Sequence, residues 1–274
     1  MTRIKSIDWN VEWKKAREQR TFPVQDSASW NKRAQGFAEV SLKTGYAEAF
    51  LKIMNPKKNW TVFDMACGAG AIAIPFSKYV KSITAADFSE KMLEILQQRC
   101  KQSKITNIRT IKTSWEDNWN KAGIGQHDVA IASRSLTVDD LQHAIIKLNS
   151  IARKQIYIST IVDDGPYDRH IFEALGREFY AGPDYLYNYN LLYSMGIYAN
   201  VNFIMEDNHK TFGTHAEAID SVRWMLNNTT DEEEKKLKDY FAGHLVFNEG
   251  RWSLDYHRLT RWAVLWWDKA VNIK

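Results

Sequence analysis

Residues 61–76 read Thr61-Val62-Phe63-Asp64-Met65-Ala66-Cys67-Gly68-Ala69-Gly70-Ala71-Ile72-Ala73-Ile74-Pro75-Phe76. A β-branched and aromatic run gives way to a turn of small residues, and an apolar helix is expected from Ala71 to Tyr79. Glycine at 68 and 70 lets the backbone turn sharply and lets a ligand approach the main chain closely. The start of the following helix offers unpaired N–H groups and the positive end of its dipole. In an open α/β sheet, ligands bind beyond the carboxyl ends of the strands at such a turn.

Outward from this turn, strands and helices alternate for about 100 residues. Strands are expected at Ser82–Ala86, Ile105–Lys112, His127–Ser133 and Gln155–Thr160. Helices are expected at Ser89–Cys100 and Val138–Ala152. This order implies a parallel sheet covered on both faces. Upstream, residues 8–55 read as helices. Asp26 or Ser27 is a plausible N-cap for a helix carrying Trp30, Ala34, Phe37 and Ala38 at helical spacing, and a second helix runs from Gly45 to Met54. Downstream of Thr160 the alternation breaks. Residues 164–200 are rich in tyrosine, with breaks at Gly165-Pro166 and Gly182-Pro183. A strand at Ala199–Met205, helices at Thr214–Leu226 and Thr230–Ala242, and a final strand at Trp262–Trp267 complete the chain. The expected architecture is a Rossmann-like three-layer αβα sandwich with a mostly parallel seven-stranded sheet. A helical cap over 1–55 precedes the main domain over 56–274, in which 161–198 is a lid insertion.

The 274 residues are 45% hydrophobic and 26% charged, which suits an ordinary globular chain rather than a disordered or coiled-coil one. Two cysteines, Cys67 and Cys100, exclude a disulfide framework and a four-cysteine zinc site, and no metal-binding pattern is visible. No apolar run near the motifs approaches the ~18 residues that span a membrane. The polar first ten residues lack a signal-peptide core, so the cytoplasm is the expected compartment. The net charge is +6 over residues 1–60, +2 over 61–165 and −4 over 166–274, and the basic residues of the first part alternate with acids, as on a solvated helix. No RNA-binding module or patch of interleaved aromatic and basic residues is visible, so nucleic acid is not an expected partner. Oligomeric state is not readable.

Asp87 ends the second strand 17 residues past Gly70, where a carboxylate can accept both hydroxyls of a ribose. The pair of motifs therefore defines a nucleoside site. Gly68-x-Gly70-x-x-Ala73 also satisfies the dinucleotide fingerprint, which keeps a dinucleotide-dependent oxidoreductase as a rival. Against it, Asp64 places a carboxylate in the turn that would repel a pyrophosphate, and the first strand follows a helical prelude.

Over residues 28–160 the chain resembles the class I, Rossmann-like, S-adenosylmethionine-dependent methyltransferases. Asp64, Gly68 and Gly70 match the family's first motif, in which Ala66 stands where glycine is common. Asp87-Phe88-Ser89-Glu90-Lys91-Met92-Leu93 matches the second. Ser114-Trp115-Glu116-Asp117 matches the segment at the adenine edge, with Ser114 where an acid is usual. The resemblance implies S-adenosylmethionine as cofactor, held by Asp64, Ala66, Gly68, Ala69, Gly70, Asp87, Phe88, Met92, Trp115, Glu116 and Ser133. Methyl transfer from a sulfonium is an in-line displacement that rests on positioning, and no catalytic side chain is singled out.

After the fourth strand stands Ser133-Arg134-Ser135-Leu136. It is neither the Asn/Asp-Pro-Pro-Tyr/Phe of amide and exocyclic-amine methylating members nor the Pro-Cys of cytosine-C5 members. Arg134 could hold a substrate carboxylate or phosphate, or pair with Asp139 or Asp140. Arg33 could reach the cofactor or the substrate, or be solvated. Tyr185 and Tyr187 could wall the acceptor or pack an amphipathic helix. His170 could act as a base or sit in a solvated loop. The expected activity is methylation of a small molecule, with RNA as the alternative acceptor.

Overall fold

The computed structural model describes residues 6–22, 26–41, 45–207 and 209–270. Lys43 and Thr44 next to the second cap helix, the side chain of Phe37 from the expected apolar stripe, and the first five residues lie outside them. Three helices open the chain: α1 (Trp9–Glu18), α2 (Ser27–Ser41) and α3 (Tyr46–Met54). Asp8 caps α1 through the Asn10 and Val11 N–H groups, and Asp26 accepts from Ser29 N–H at the start of α2. The helix α3 stops before Asn55-Pro56 as expected, with Asn55 in the left-handed conformation as its C-cap.

Then follow β1 (Thr61–Met65), α4 (Ala73–Phe76), β2 (Ser82–Asp87), α5 (Glu90–Gln102), β3 (Ile108–Lys112), β4 (His127–Ser133), α6 (Leu141–Ile151) and β5 (Ala152–Ile161). The expected helix from Ala71 to Tyr79 shrinks to α4 and a 3₁₀ turn at Ser77–Tyr79. Pro75 supplies no N–H, so one rung of the ladder is missing in the middle of the segment.

The second half contains α7 (Arg169–Leu175), α8 (Tyr185–Ser194), β6 (Asn200–Asp207), β7 (Thr211–Phe212), α9 (His215–Asp220), α10 (Asp231–His244), β8 (Leu245–Asn248), β9 (Arg251–Leu254) and β10 (Leu259–Asp268). The expected helix at Thr214–Leu226 is α9 followed by a 3₁₀ turn at Arg223–Met225. The hairpin β8–β9, which turns at Glu249 and Gly250, was not expected.

Seven strands form one sheet in the order β3-β2-β1-β4-β5-β10-β6. Only β10 runs antiparallel to its neighbours. The sheet is covered on both faces. Along β4, Ala130 and Ala132 face a core with Trp13, Leu141, Leu148, Leu191 and Leu192 from α1, α6 and α8. Val129 and Ile131 face the other core, with Phe50, Phe76 and Leu96 from α3, α4 and α5. This is the three-layer sandwich that alternating strands and helices imply. A second sheet of three strands, β7-β9-β8, packs with α7, α9 and α10 around Phe172, Leu237 and Phe241. Most of that core comes from between β6 and β10, later in the chain than the tyrosine-rich segment. Among the described residues no helix is long and apolar enough to cross a membrane.

Candidate active site

The site forms where β1, β2, β4 and β5 end together. Past Met65 the chain enters a tight turn with Ala66, Gly68 and Gly70 at φ of 55°, 53° and 85°. At Gly70 a β-carbon would stand 2.4 Å from the Leu96 side chain, so glycine is required there for close packing of α5. Ala66 occupies the same left-handed region at a cost that glycine avoids. Ala66 and Gly68 are half-exposed and open toward the sheet end, whereas Ala69 is buried under α2.

Asp87 fixes this turn to the end of β2. One carboxylate oxygen accepts from the Gly68 N–H at 2.8 Å and the other from the Ser89 N–H at 2.8 Å. Each oxygen keeps a second lone pair, enough to accept a pair of hydroxyls. Burial raises the Asp87 pKa, against the pull of these backbone N–H groups.

Asp64, on β1, is 2% exposed, and its Oδ2 is sealed from solvent with no hydrogen-bond partner. Burial first, and the neighbouring Asp87 carboxylate second, push its pKa up to about 8. A buried carboxylate oxygen without a donor is costly, and a cationic ligand head such as an ammonium would satisfy it. The Cys67 thiol, beside both carboxylates and buried, is driven well above its usual range and stays protonated.

At the far side of Asp87, the residue Thr113 donates its N–H to the Asp87 carbonyl at 3.0 Å, which brings the loop 113–117 to the site. Asp117 folds this loop by accepting from Ser114 N–H at 2.7 Å. The Trp115 ring packs 5.5 Å from that of Trp119 with its indole N–H buried and unpartnered, while Glu116 is exposed. Across the turn, α2 closes on α5. Ala34 and Ala38 pack against Ala69 and Met92, Asn31 Oδ1 accepts from the Ser89 hydroxyl at 2.7 Å, and Phe88 is half-buried under Ser27, whose hydroxyl donates to its carbonyl. Arg99 ties the two layers by donating to the Ala69 carbonyl at 3.0 Å and the Ala38 carbonyl at 2.7 Å.

The end of β4 carries the second half of the site. Ser133, Ser159 and the Tyr46 hydroxyl form a closed triangle of oxygens, with Tyr46 2.9 Å from Ser133 and 2.5 Å from Ser159. Tyr46 is 1% exposed, and burial raises its pKa despite these bonds and the nearby Arg134. Arg134 takes a left-handed backbone (φ 55°), and its guanidinium lies 3.9 Å above the Tyr46 ring and 5.3 Å from that of Trp262. Ser135 donates back to the Met65 carbonyl, joining this loop to the glycine turn.

The structure thus brings Asp64, Ala66, Gly68, Ala69, Gly70, Asp87, Phe88 and Met92 into one neighbourhood, with Trp115 and Glu116 at one edge and Ser133 and Arg134 at the other. Arg134 does not pair with Asp139 or Asp140. Arg17 and Lys14 of α1 take those carboxylates, and Arg134 faces Glu206 at 3.9 Å. Arg33 donates to the Trp224 carbonyl at 2.7 Å, linking α2 to the 3₁₀ turn after α9. Tyr185 and Tyr187 lie on α8, half-buried and edge-on to Phe203 and Trp9, among the side chains that seat the helix. His170 is the second residue of α7, with a ring nitrogen 3.3 Å from Asp168. Tyr46, Ser159, Glu206 and Trp262 were not anticipated. They come from α3, β5, β6 and β10, and only the tertiary fold gathers them. Among the described residues no three His, Cys, Asp or Glu side chains are placed to hold a metal ion.

The methyltransferase-domain family matches residues 62–155, the stretch from β1 into β5. An uncharacterized protein of Haemophilus influenzae is 33% identical over 242 residues, covering 87% of this chain and 88% of that protein. A ubiquinone/menaquinone biosynthesis C-methyltransferase of Zymomonas mobilis is 28% identical over 93 residues, 34% of this chain and 38% of that protein. In fold, the chain is similar to coclaurine N-methyltransferase bound to N-methylheliamine and S-adenosylhomocysteine, with a TM-score of 0.50 and 13% identity over 97% of this chain and 88% of that one. The chain belongs to the class I S-adenosylmethionine-dependent methyltransferases. It is an enzyme, and S-adenosylmethionine is its cofactor. The dinucleotide reading of Gly68-x-Gly70-x-x-Ala73 is set aside.

Proposed function

We propose that this enzyme transfers the methyl group to a small molecule that sits at the end of β4. The observation that carries this reading is the enclosure of that end. Tyr46 and Trp262 are 1% and 8% exposed, and the side chains of Arg134 and Glu206 are 19% and 14% exposed. A single-stranded RNA needs an open basic groove with exposed rings for its bases to stack on. Here the rings are buried and the nearest cation, Arg134, lies over one of them.

In this reading the cofactor, when bound, supplies a methyl group activated on a sulfonium. Asp87 holds its ribose hydroxyls, and Asp64 Oδ2 takes the ammonium of its methionine part. Met92 and Phe88 flank the adenine, the loop at Trp115 and Glu116 meets its edge, and Ser133 stands at the methyl end. Arg33, by tying α2 to the later insertion, keeps the cover in place over the site. The enzyme's contribution is alignment and exclusion of water.

The test is transfer of a labelled methyl group from S-adenosylmethionine into a bacterial extract divided into small-molecule and RNA fractions. Label is expected in the small-molecule fraction. Label confined to RNA would overturn the reading.

A further inference from the structure

Arg134 and Glu206 are both left with unused hydrogen-bonding capacity in a largely dry place. Among the described residues the Arg134 guanidinium makes no hydrogen bond, although it presents five N–H donors. Its nearest charge is Glu206 Oε2 at 3.9 Å, beyond hydrogen-bond length. That oxygen accepts from the Trp262 indole N–H at 2.7 Å, and the other, Oε1, is buried with no partner. The guanidinium lies over the Tyr46 ring, to which Trp262 stands edge-on, and such contacts with ring faces take up none of its N–H donors. The left-handed backbone of Arg134 adds strain at the same residue.

The charge balance of this pair selects its ligand. Arg134 and Glu206 together are neutral. A simple anion on Arg134 would leave a net negative charge in the enclosure, and a simple cation on Glu206 a net positive one, each costly to bury. A molecule that carries both an anionic group and an ammonium satisfies the guanidinium and Oε1 together and keeps the enclosure neutral.

We propose that the methyl acceptor is a small dipolar molecule of the amino-acid type, its carboxylate on Arg134 and its ammonium on Glu206 Oε1. This rests on the small-molecule reading above and narrows it to one substrate class.

The experiment uses the full chain saturated with S-adenosylhomocysteine, whose binding is first measured by calorimetry. Glycine, acetate and methylammonium, the smallest carriers of the two groups together and separately, are then titrated and followed by saturation-transfer NMR. Glycine is expected to bind roughly tenfold more tightly than either single-charge probe, the scale of one charged hydrogen bond. Arg134→Met should erase the advantage of glycine over methylammonium, and Glu206→Gln its advantage over acetate. Arg134→Lys, which keeps the charge but loses the planar fork, should fall between. Acetate or methylammonium binding as well as glycine, no glycine signal, or variants with unchanged preferences would each overturn the proposal. Failure to bind S-adenosylhomocysteine would strike at the cofactor site, and label passing only to RNA at the small-molecule reading, so the three failures are distinguishable.

Discussion

The Arg134 guanidinium lies over the Tyr46 ring, 3.9 Å from its centre, so a residue at the start of α3 forms the floor under a cation at the end of β4. The same tyrosine bonds Ser133 and Ser159 through its hydroxyl. A cap helix and two sheet strands therefore share one buried side chain. Tyr46→Phe keeps the floor and removes the hydroxyl. Urea unfolding should show a loss of about 1–2 kcal/mol, the cost of depriving the buried Ser159 and the half-buried Ser133 of a partner. S-Adenosylhomocysteine affinity should change little.

Ala66→Gly should stabilise the protein by roughly 0.5–1 kcal/mol, because alanine in the left-handed region costs about 1–2 kcal/mol and glycine returns part of that gain as entropy of the unfolded chain. Its φ is 55°. Equilibrium unfolding in urea checks this, and a destabilised variant would show that Ala66 makes packing contacts outweighing the strain.

The Asp64 carboxyl has a folded pKa raised to about 8 by burial and by Asp87, against 3.8 for a solvated aspartate. Protonation is therefore favoured in the folded state. Its stabilising effect is complete below pH 3.8 and is lost as pH rises toward 8. Asp64→Asn removes that loss. At pH 8.5 and without cofactor, the variant should be more stable than the parent by about 1–3 kcal/mol, the cost of an unpaired buried polar group. The difference should narrow at pH 5. A parent whose stability rises between pH 5 and 8.5 relative to the variant would contradict the assignment.

Arg99 joins α5 both to the turn, through Ala69, and to α2, through Ala38. Arg99→Met keeps the stem and loses both bonds. Amide exchange over residues 27–41 should speed up, and S-adenosylhomocysteine should bind severalfold more weakly. Unchanged exchange in α2 would mean that the alanine packing alone holds the cap.

Saturation with S-adenosylhomocysteine should slow amide exchange in α2, and in the 3₁₀ turn at Arg223–Met225 that Arg33 tethers to it. Residues 165–198 are the other candidate cover. Protection there on saturation would assign the lid to the tyrosine-rich segment, and none in either region would count against closure.

Much of the sheet was legible because the central strands β1, β2 and β4 are short, apolar on both faces and followed by a turn. His127–Ser133 was bounded to the residue, since six of its seven residues are buried and the polar ends are abrupt. The helix after the turn was overextended because periodicity does not register the missing N–H of Pro75. The β8–β9 hairpin was missed because Val246 and Phe247 are exposed, so no alternation marks them as strand. The first half of the site was readable because its residues lie within one βαβ unit. The second half was not, since Tyr46, Ser159, Glu206 and Trp262 are brought together only by the order in which distant strands enter the sheet.

Calorimetric titration of S-adenosylhomocysteine into the protein and into Asp87→Asn tests the central claim most directly. The parent should bind one equivalent, and the variant should bind at least about tenfold more weakly, a difference of roughly 1.4 kcal/mol, because the amide offers the ribose hydroxyls a neutral acceptor. Equal affinity in the two proteins, or no binding by the parent, would contradict the account.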